Sequence, residues 1–419
     1  MSNIPKLRFP EFSGEWEEKK LSDFMTRLTR KNSNNESSRA LTISSADGLI
    51  DQGEFFKKQI ASKDTSGYYL LKKGDFAYNK SYSVGYDYGS IKRLDRYEDG
   101  VVSTLYICMS LTSDTNSDYL THYFDSMKWN KSVSEISAEG ARNHGLLNIP
   151  TESFFQTKHF LAPTLAEQQK IADFLSNVDS IITAETKILN TLQKKKKALM
   201  QKLFTQQLRF KSDDGTDFPA WEEKKLGEVC ETVTDYVAAG SFADIAANVD
   251  YKKDPDYAQL IRTVDLKNNF TNKEFVYVDK KAFDYLFRVN LNKDYIVLPN
   301  IGANIGEVYY ISATKLPYKR NVLGPNAILI GSSNNLLYCY IFFQSEVFQK
   351  KLSLIVAASG QPKFNKTELK QITIPLPCKA EQQKIADCLS SIDSLIQNQQ
   401  KVVTTWQQRK KALLQQMFI

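Results

Sequence analysis

Eight residues, "AEQQKIAD", stand at Ala166–Asp173 and again at Ala380–Asp387, and they open a longer duplication. Aligned without a gap from that point, Ala166–Phe204 and Ala380–Phe418 are identical at 22 of 39 positions. Two shorter motifs precede each copy. "LRF" occurs at Leu7–Phe9 and Leu208–Phe210, and "WEEKKL" at Trp16–Leu21 and Trp221–Leu226. The chain is therefore a frame written twice, and any fold for it must contain two equivalent copies of that frame.

Each 39-residue block lacks Gly and Pro, is rich in Ala, Leu, Lys, Gln and Glu, and starts soon after a proline, Pro163 or Pro377. That composition predicts two long helices, each a rod of roughly 58 Å at about 1.5 Å per residue. Their apolar residues fall on a heptad. Ile171, Val178, Leu192 and Leu199 form one seam row, matched by Ile385, Ile392, Trp406 and Leu413; Phe174, Ile181 and Ile188, with Cys388, Leu395 and Val402, are expected on the second row. Glu185 and Gln399 interrupt the first row at matching sites, as a register-fixing polar residue would, and antiparallel pairing of the two helices would set them near each other. The alternative is two amphipathic helices docked separately on their own domains. Lys194–Lys197 spread around the helix, so a solvated face, a DNA-backbone contact and a dock for an acidic surface all stay open; Arg409–Lys411 form the corresponding cluster.

Between the frames lie two inserts, Ser22–Leu165 and Gly227–Lys379, with little mutual resemblance. Both mix β-branched and aromatic runs ("VVSTLYICMSL", "DYIVLP", "NAILI") with turn signals, which predicts strand-rich α+β domains. Faint echoes persist: "KKGDFAYNK" at Lys72–Lys80 beside "LNKDYIVLPN" at Leu291–Asn300, and "AEGARN" at Ala138–Asn143 beside "ASGQPK" at Ala358–Lys363. The predicted layout is a first domain over 1–165, a central helix over 166–204, a linker over 205–220, a second domain over 221–379 and a C-terminal helix over 380–419. In fold class this is α+β, two similar strand-rich domains joined by two long antiparallel helices that form a coiled coil with pseudo-two-fold symmetry.

A chain of 419 residues with 42% apolar residues fits more than one core, and its net charge of +7 is compatible with a nucleic-acid partner. No apolar run is long enough for a membrane span and the first residues carry no secretory pattern, so a cytoplasmic protein without a membrane partner is expected. The five cysteines have neither disulfide nor zinc spacing, and His122, His144 and His159 have no partner at ligand spacing, so no metal site is expected. Phosphate-loop, dinucleotide, zincin and nucleophile-elbow motifs are all missing; "IGANIGE" at Ile301–Glu307 lacks the Lys-Ser/Thr that a phosphate loop needs. No catalytic residue is nominated.

The doubled "AEQQKIA" helix start, the doubled "WEEKKL", the "LRF" linker and the two dissimilar inserts of about 150 residues resemble the specificity subunits of type I restriction-modification systems, over essentially the whole chain. The resemblance implies a non-catalytic subunit with two target-recognition domains, each binding one half of a bipartite double-stranded DNA sequence, and with helices that fix the half-site separation. It implies two modification (methyltransferase) subunits as partners, which bind S-adenosylmethionine, and restriction motor-nuclease subunits, which use ATP and magnesium. No cofactor is expected on this chain itself. A coiled-coil scaffold carrying two protein- or ligand-binding domains is the other class the sequence admits.

Phosphates are met by Lys, Arg and amide donors, and base edges by Arg, Lys, Asn and Gln. Loop segments that interleave such groups nominate Lys80, Tyr82, Lys92, Arg93, Arg142, Asn143 and His144 in the first domain, and Asn300, Asn304, Lys319, Arg320, Asn321, Gln361 and Lys363 in the second.

Overall fold

The computed structural model describes residues 3–44, 47–56, 62, 64–83, 85–112, 114–137, 147–357 and 362–419. They form two units, one of Met1–Lys187 with Gln400–Ile419 and one of Ile188–Gln399. Two helices dominate, Leu165–Phe204 and Lys379–Met417, and each contributes a segment to both units. No helix among the described residues is long and apolar enough to cross a membrane.

In the first unit the "EEKK" of the first "WEEKKL" is a strand, Glu17–Lys20, antiparallel to Lys158–Leu161, the strand that leads into the long helix. Entry to and exit from the insert are thus zipped together. The insert's main sheet is antiparallel, in the order Met25–Leu28, Ile107–Leu111, Phe76–Asn79, Ser90–Arg93. Its core gathers Trp16, Phe24, Phe76, Tyr78, Phe124, Trp129 and Phe154, and closes on Ile171, Ala172 and Leu175 of the first long helix and Leu414, Met417 and Phe418 of the second.

The second unit repeats this construction with other residues. Glu222–Lys225 pairs with Thr373–Leu376, and the main antiparallel sheet runs Thr232–Asp235, Ala327–Gly331, Tyr295–Pro299, Tyr309–Ile311. In both units the sheet order by chain position is first, fourth, second, third. A side sheet differs: here Ala258–Ile261 pairs parallel with Asn321–Leu323 and antiparallel with Val276–Val278, whereas the first unit has two separate two-stranded ladders. Met200, Leu203 and Phe204 fill the core from the first long helix, with Ile385, Ala386 and Leu389 from the second.

Nearly every letter of "AEQQKIAD" has a structural task, performed twice. Glu167 takes both Arg8 Nε (2.7 Å) and Arg8 Nη2 (2.8 Å), and Trp16 Nε1 at 3.1 Å. Glu381 takes Arg209 Nε (3.1 Å) and Nη2 (2.7 Å), and Trp221 Nε1 at 2.8 Å. The repeated "LRF" and "WEEKKL" motifs therefore meet on the repeated glutamate. Gln168 donates to the Ala162 carbonyl and accepts from the Asn116 amide; Gln382 does the same with Pro377 and Asn335. Gln169 and Gln383 accept from the side-chain amides of those asparagines, which cap the helices Ser117–Asp125 and Leu336–Phe343, and donate to Asp173 and Asp387. Ile and Ala of the motif are buried in both copies.

Within each unit the first long helix lies against the second in antiparallel sense, since in the first unit Asp179 pairs with Lys410 (2.7 Å) and in the second Asp393 pairs with Lys196 (2.5 Å). Ile171, Val178 and Ile385 are buried; Leu192, Leu199, Ile392, Trp406 and Leu413, with Glu185 and Gln399, are half-buried. The second seam row needs correcting. Phe174, Ile181, Ile188, Leu395 and Val402 are exposed, and the inward row is Leu175, Ile182, Leu189, Lys196 and Leu203, with Leu389, Ile396, Val403, Lys410 and Met417 on the other helix. Each expected residue is followed by another apolar one, as in Phe174-Leu175 or Leu395-Ile396, so periodicity alone does not choose between a three- and a four-residue step. The lysine runs also resolve: Lys196 and Lys410 sit in the seam, and Lys197 pairs with Glu346 at 2.8 Å.

Candidate nucleic-acid interface

In both units the second strand of the main sheet runs into a loop that is tied to the segment after a later loop. The Lys80 carbonyl accepts from the Leu147 amide at 3.0 Å, and the Asn300 carbonyl from the Phe364 amide at 3.1 Å. The tie sets Lys80 and Tyr82 beside the segment that follows Arg142, Asn143 and His144, and Asn300 and Asn304 beside Lys363 and the segment that follows Gln361. Those four candidates, Arg142, Asn143, His144 and Gln361, lie outside the described residues.

Tyr82 is exposed; Lys80 is half-buried, and that burial lowers its ammonium pKa. In the second unit Asn300 is turned inward, its Nδ2 donating to the Phe364 carbonyl at 2.9 Å, so it builds the loop instead of presenting itself. Lys363 is exposed and bridges backbone with Ile301. Asn304 accepts from Lys267 Nζ at 2.7 Å, and Lys267 also pairs with Glu307 at 3.1 Å. Lys267, at the end of the helix Thr263–Lys267, was not among the sequence candidates, because nothing local connects it with a loop 37 residues away.

Other candidates are engaged elsewhere. Lys92 pairs with Asp125 at 2.7 Å. Arg93 is held by Asp95 (2.5 Å), Asp118 (2.7 Å) and the Ser117 hydroxyl (2.8 Å), so it pins a strand end to a helix N-terminus. Asn321 is 5% exposed, in the strand Asn321–Leu323, and its amide donates to the Tyr318 carbonyl; it belongs to the packing and not to an exposed reading surface. Arg320 lies over the Tyr257 ring at 4.3 Å, and Lys319 is exposed. No group of His, Cys, Asp and Glu among the described residues has metal-site geometry, and the five cysteines are free thiols.

A family model, the type I restriction modification DNA specificity domain, matches residues 13–194 and again 220–405. The chain belongs to that family. It carries the domain twice, and as a specificity subunit it is the non-catalytic, DNA-recognising part of such a system. Among curated relatives, the type I restriction enzyme MjaVIII specificity subunit of Methanocaldococcus jannaschii is 27% identical over 325 residues, 75% of this chain and 72% of the relative. Among solved structures, the type I restriction-modification S subunit from M. genitalium aligns over 99% of both chains with a TM-score of 0.55 at 14% identity. A chain from a study of complex assembly and conformational transition in the type I R-M system covers 96% of this chain and 97% of its own length, also with a TM-score of 0.55, at 15% identity. At these identities the structural likeness speaks for the fold, which is the mixed helix-and-strand, two-domain architecture described above.

Proposed function

We propose that each unit reads one half of a bipartite, asymmetric double-stranded DNA site, through the loop pairs at Lys80–Leu147 and Asn300–Phe364. The observation that carries this reading is the constant frame around variable inserts: the same buried Arg–Glu–Trp network and the same sheet order hold two loop clusters with different side chains. Equivalent placement with different chemistry suits one reader of two unlike half-sites.

The two long helices set the spacer and dock two modification subunits, which carry S-adenosylmethionine, while motor-nuclease subunits carry ATP and magnesium. Support for docking comes from the outward rows, Phe174, Ile181 and Val402 in the first unit and Ile188 and Leu395 in the second, which leave apolar side chains exposed on otherwise polar helices. The setting is the cytoplasm.

Exchange of Ser22–Leu165 for the corresponding insert of another specificity subunit tests the modular reading. Mapping of methylated adenines in cells that carry the modification subunits should show one half of the motif replaced and the other unchanged. A motif altered in both halves, or in neither, would overturn it.

A further inference from the structure

The loop Ile301–Glu307 of the second unit presents an unusual set of polar groups. Asn304 Oδ1 is occupied by Lys267 Nζ at 2.7 Å. The same ammonium reaches Glu307 Oε1 at 3.1 Å, and the other carboxylate oxygen of Glu307 takes the Tyr309 hydroxyl. The Glu307 amide closes the turn on the Asn304 carbonyl at 3.1 Å. Gln349 fixes the far side, donating to the carbonyls of Gly306 (2.9 Å) and Phe343 (2.8 Å). Gly306 has φ +95°, and a Cβ there would come within 2.9 Å of Gln349 Oε1, so the turn demands glycine.

The acceptors of this cluster are thus consumed inside it. No described residue takes the Asn304 amide hydrogens, and the third N–H of the exposed Lys267 is left over. An asparagine that reads adenine needs both ends of its amide, accepting from N6 and donating to N7. Asn304, with Oδ1 held by Lys267, has only its donor end to offer. Glu307 cannot accept from the cytosine amino group while both its oxygens are engaged. Donors alone match an edge that carries acceptors alone, and the guanine major-groove edge, with N7 and O6, is the one with two. The ion pair with Glu307 also offsets the charge of Lys267, which makes it a poorer phosphate anchor than a free lysine.

We infer that Asn304 and Lys267 form a donor-only pair that specifies guanine at one position of the half-site read by the second unit. This rests on the reading that the Asn300–Phe364 loop pair meets DNA.

Two variants of the chain, assembled with its modification subunits, test the pair by methylated-adenine mapping on genomic DNA. Asn304→Asp keeps an oxygen for Lys267 and replaces the outward donor by an acceptor. Methylation of sites with guanine at one position of one half should fall about ten-fold or more, the discrimination expected of a good base contact, while every other position stays unchanged. Lys267→Met frees Oδ1 and should admit adenine at that same position. A uniform loss of methylation over all sites in either variant would mean a phosphate contact and overturn the inference, as would a change at a position that is not guanine in the original motif. Exchange of Gly227–Lys379 for another insert separates the two levels. If that exchange leaves the motif intact, the DNA-reading role of the unit fails; if it replaces one half while both point variants change nothing, only the guanine assignment fails.

Discussion

Glu167 and Glu381 have 1% and 0% of their side chains exposed, and each faces an arginine fork and an indole N–H. Truncation of such a carboxylate leaves those donors with no acceptor in a site that water hardly reaches. Glu167→Ala or Glu381→Ala should therefore each cost roughly 3–5 kcal/mol, read as a lower urea midpoint, with the Gln variants milder because an amide oxygen still accepts. The sequence displayed these residues without their relationship: Arg8, Trp16 and Glu167 lie in three repeated motifs, but no spacing rule joins positions 151 and 159 residues apart. His159 offers a second test. The Thr157 hydroxyl donates to the Phe154 carbonyl and so accepts from His159 Nε2, while the Tyr123 hydroxyl donates to Nδ1, which fixes a neutral ring whose pKa burial pushes down to about 3. The unfolded chain takes up this proton near the ordinary value of 6.5, and the folded chain resists it until about 3. Acidification within that window favours unfolding, and above it the group contributes no pH dependence. The stability advantage of the wild type over His159→Gln, measured by urea titration, should shrink as pH falls from about 6.5 to 4.

At the scale of elements, the long helices and their heptads were legible in the sequence, and the inward face was not. Leu175 rather than Phe174 points inward because the insert's own core, with Trp16 and Phe418, adjoins the seam there, and a one-dimensional period contains no information about that neighbour. The seam lysines were hidden by their surroundings: Lys196 lies within a run of four, and its acid, Asp393, is 197 positions away on the other helix. The matching ion pairs Lys196–Asp393 and Lys410–Asp179 are well placed to fix antiparallel register, since any shift of one helix along the other separates both partners. Lys196→Asp and Asp393→Lys should each lower the melting temperature, and the combined reversal should recover most of the loss. Because Asp393 is 31% exposed, solvent screens the pair and a coupling energy of about 1 kcal/mol is expected from the double-mutant cycle. The shared sheet order of the inserts was less visible still. Strand pairing depends on alternation and burial, which many sequences satisfy, so two inserts can keep a topology after their letters have diverged.

At the scale of the whole molecule, the proposed ruler makes a prediction with a physical phase. Four residues added to a helix advance it about 6 Å and turn it about 40° beyond a full turn. Two base pairs of B-DNA advance about 6.8 Å and turn about 70° in the same right-handed sense. Seven residues advance about 10.5 Å with almost no net turn, where three base pairs rotate the second half-site by about 100°. A four-residue insertion consequently follows the duplex better than a heptad, although the heptad preserves the seam and the four-residue step is a stutter that the coiled coil absorbs by local unwinding. Placed in both helices, between Lys187 and Ile188 and between Gln399 and Gln400 where the units divide, four residues should give a methylated motif with both halves unchanged and the spacer longer by one or two base pairs. Seven residues at the same points should methylate poorly at every spacer length. A four-residue variant that still methylates the original spacer would show that the helices do not measure the site, and an insertion in one helix alone should abolish methylation, because it displaces Lys196 from Asp393 or Lys410 from Asp179.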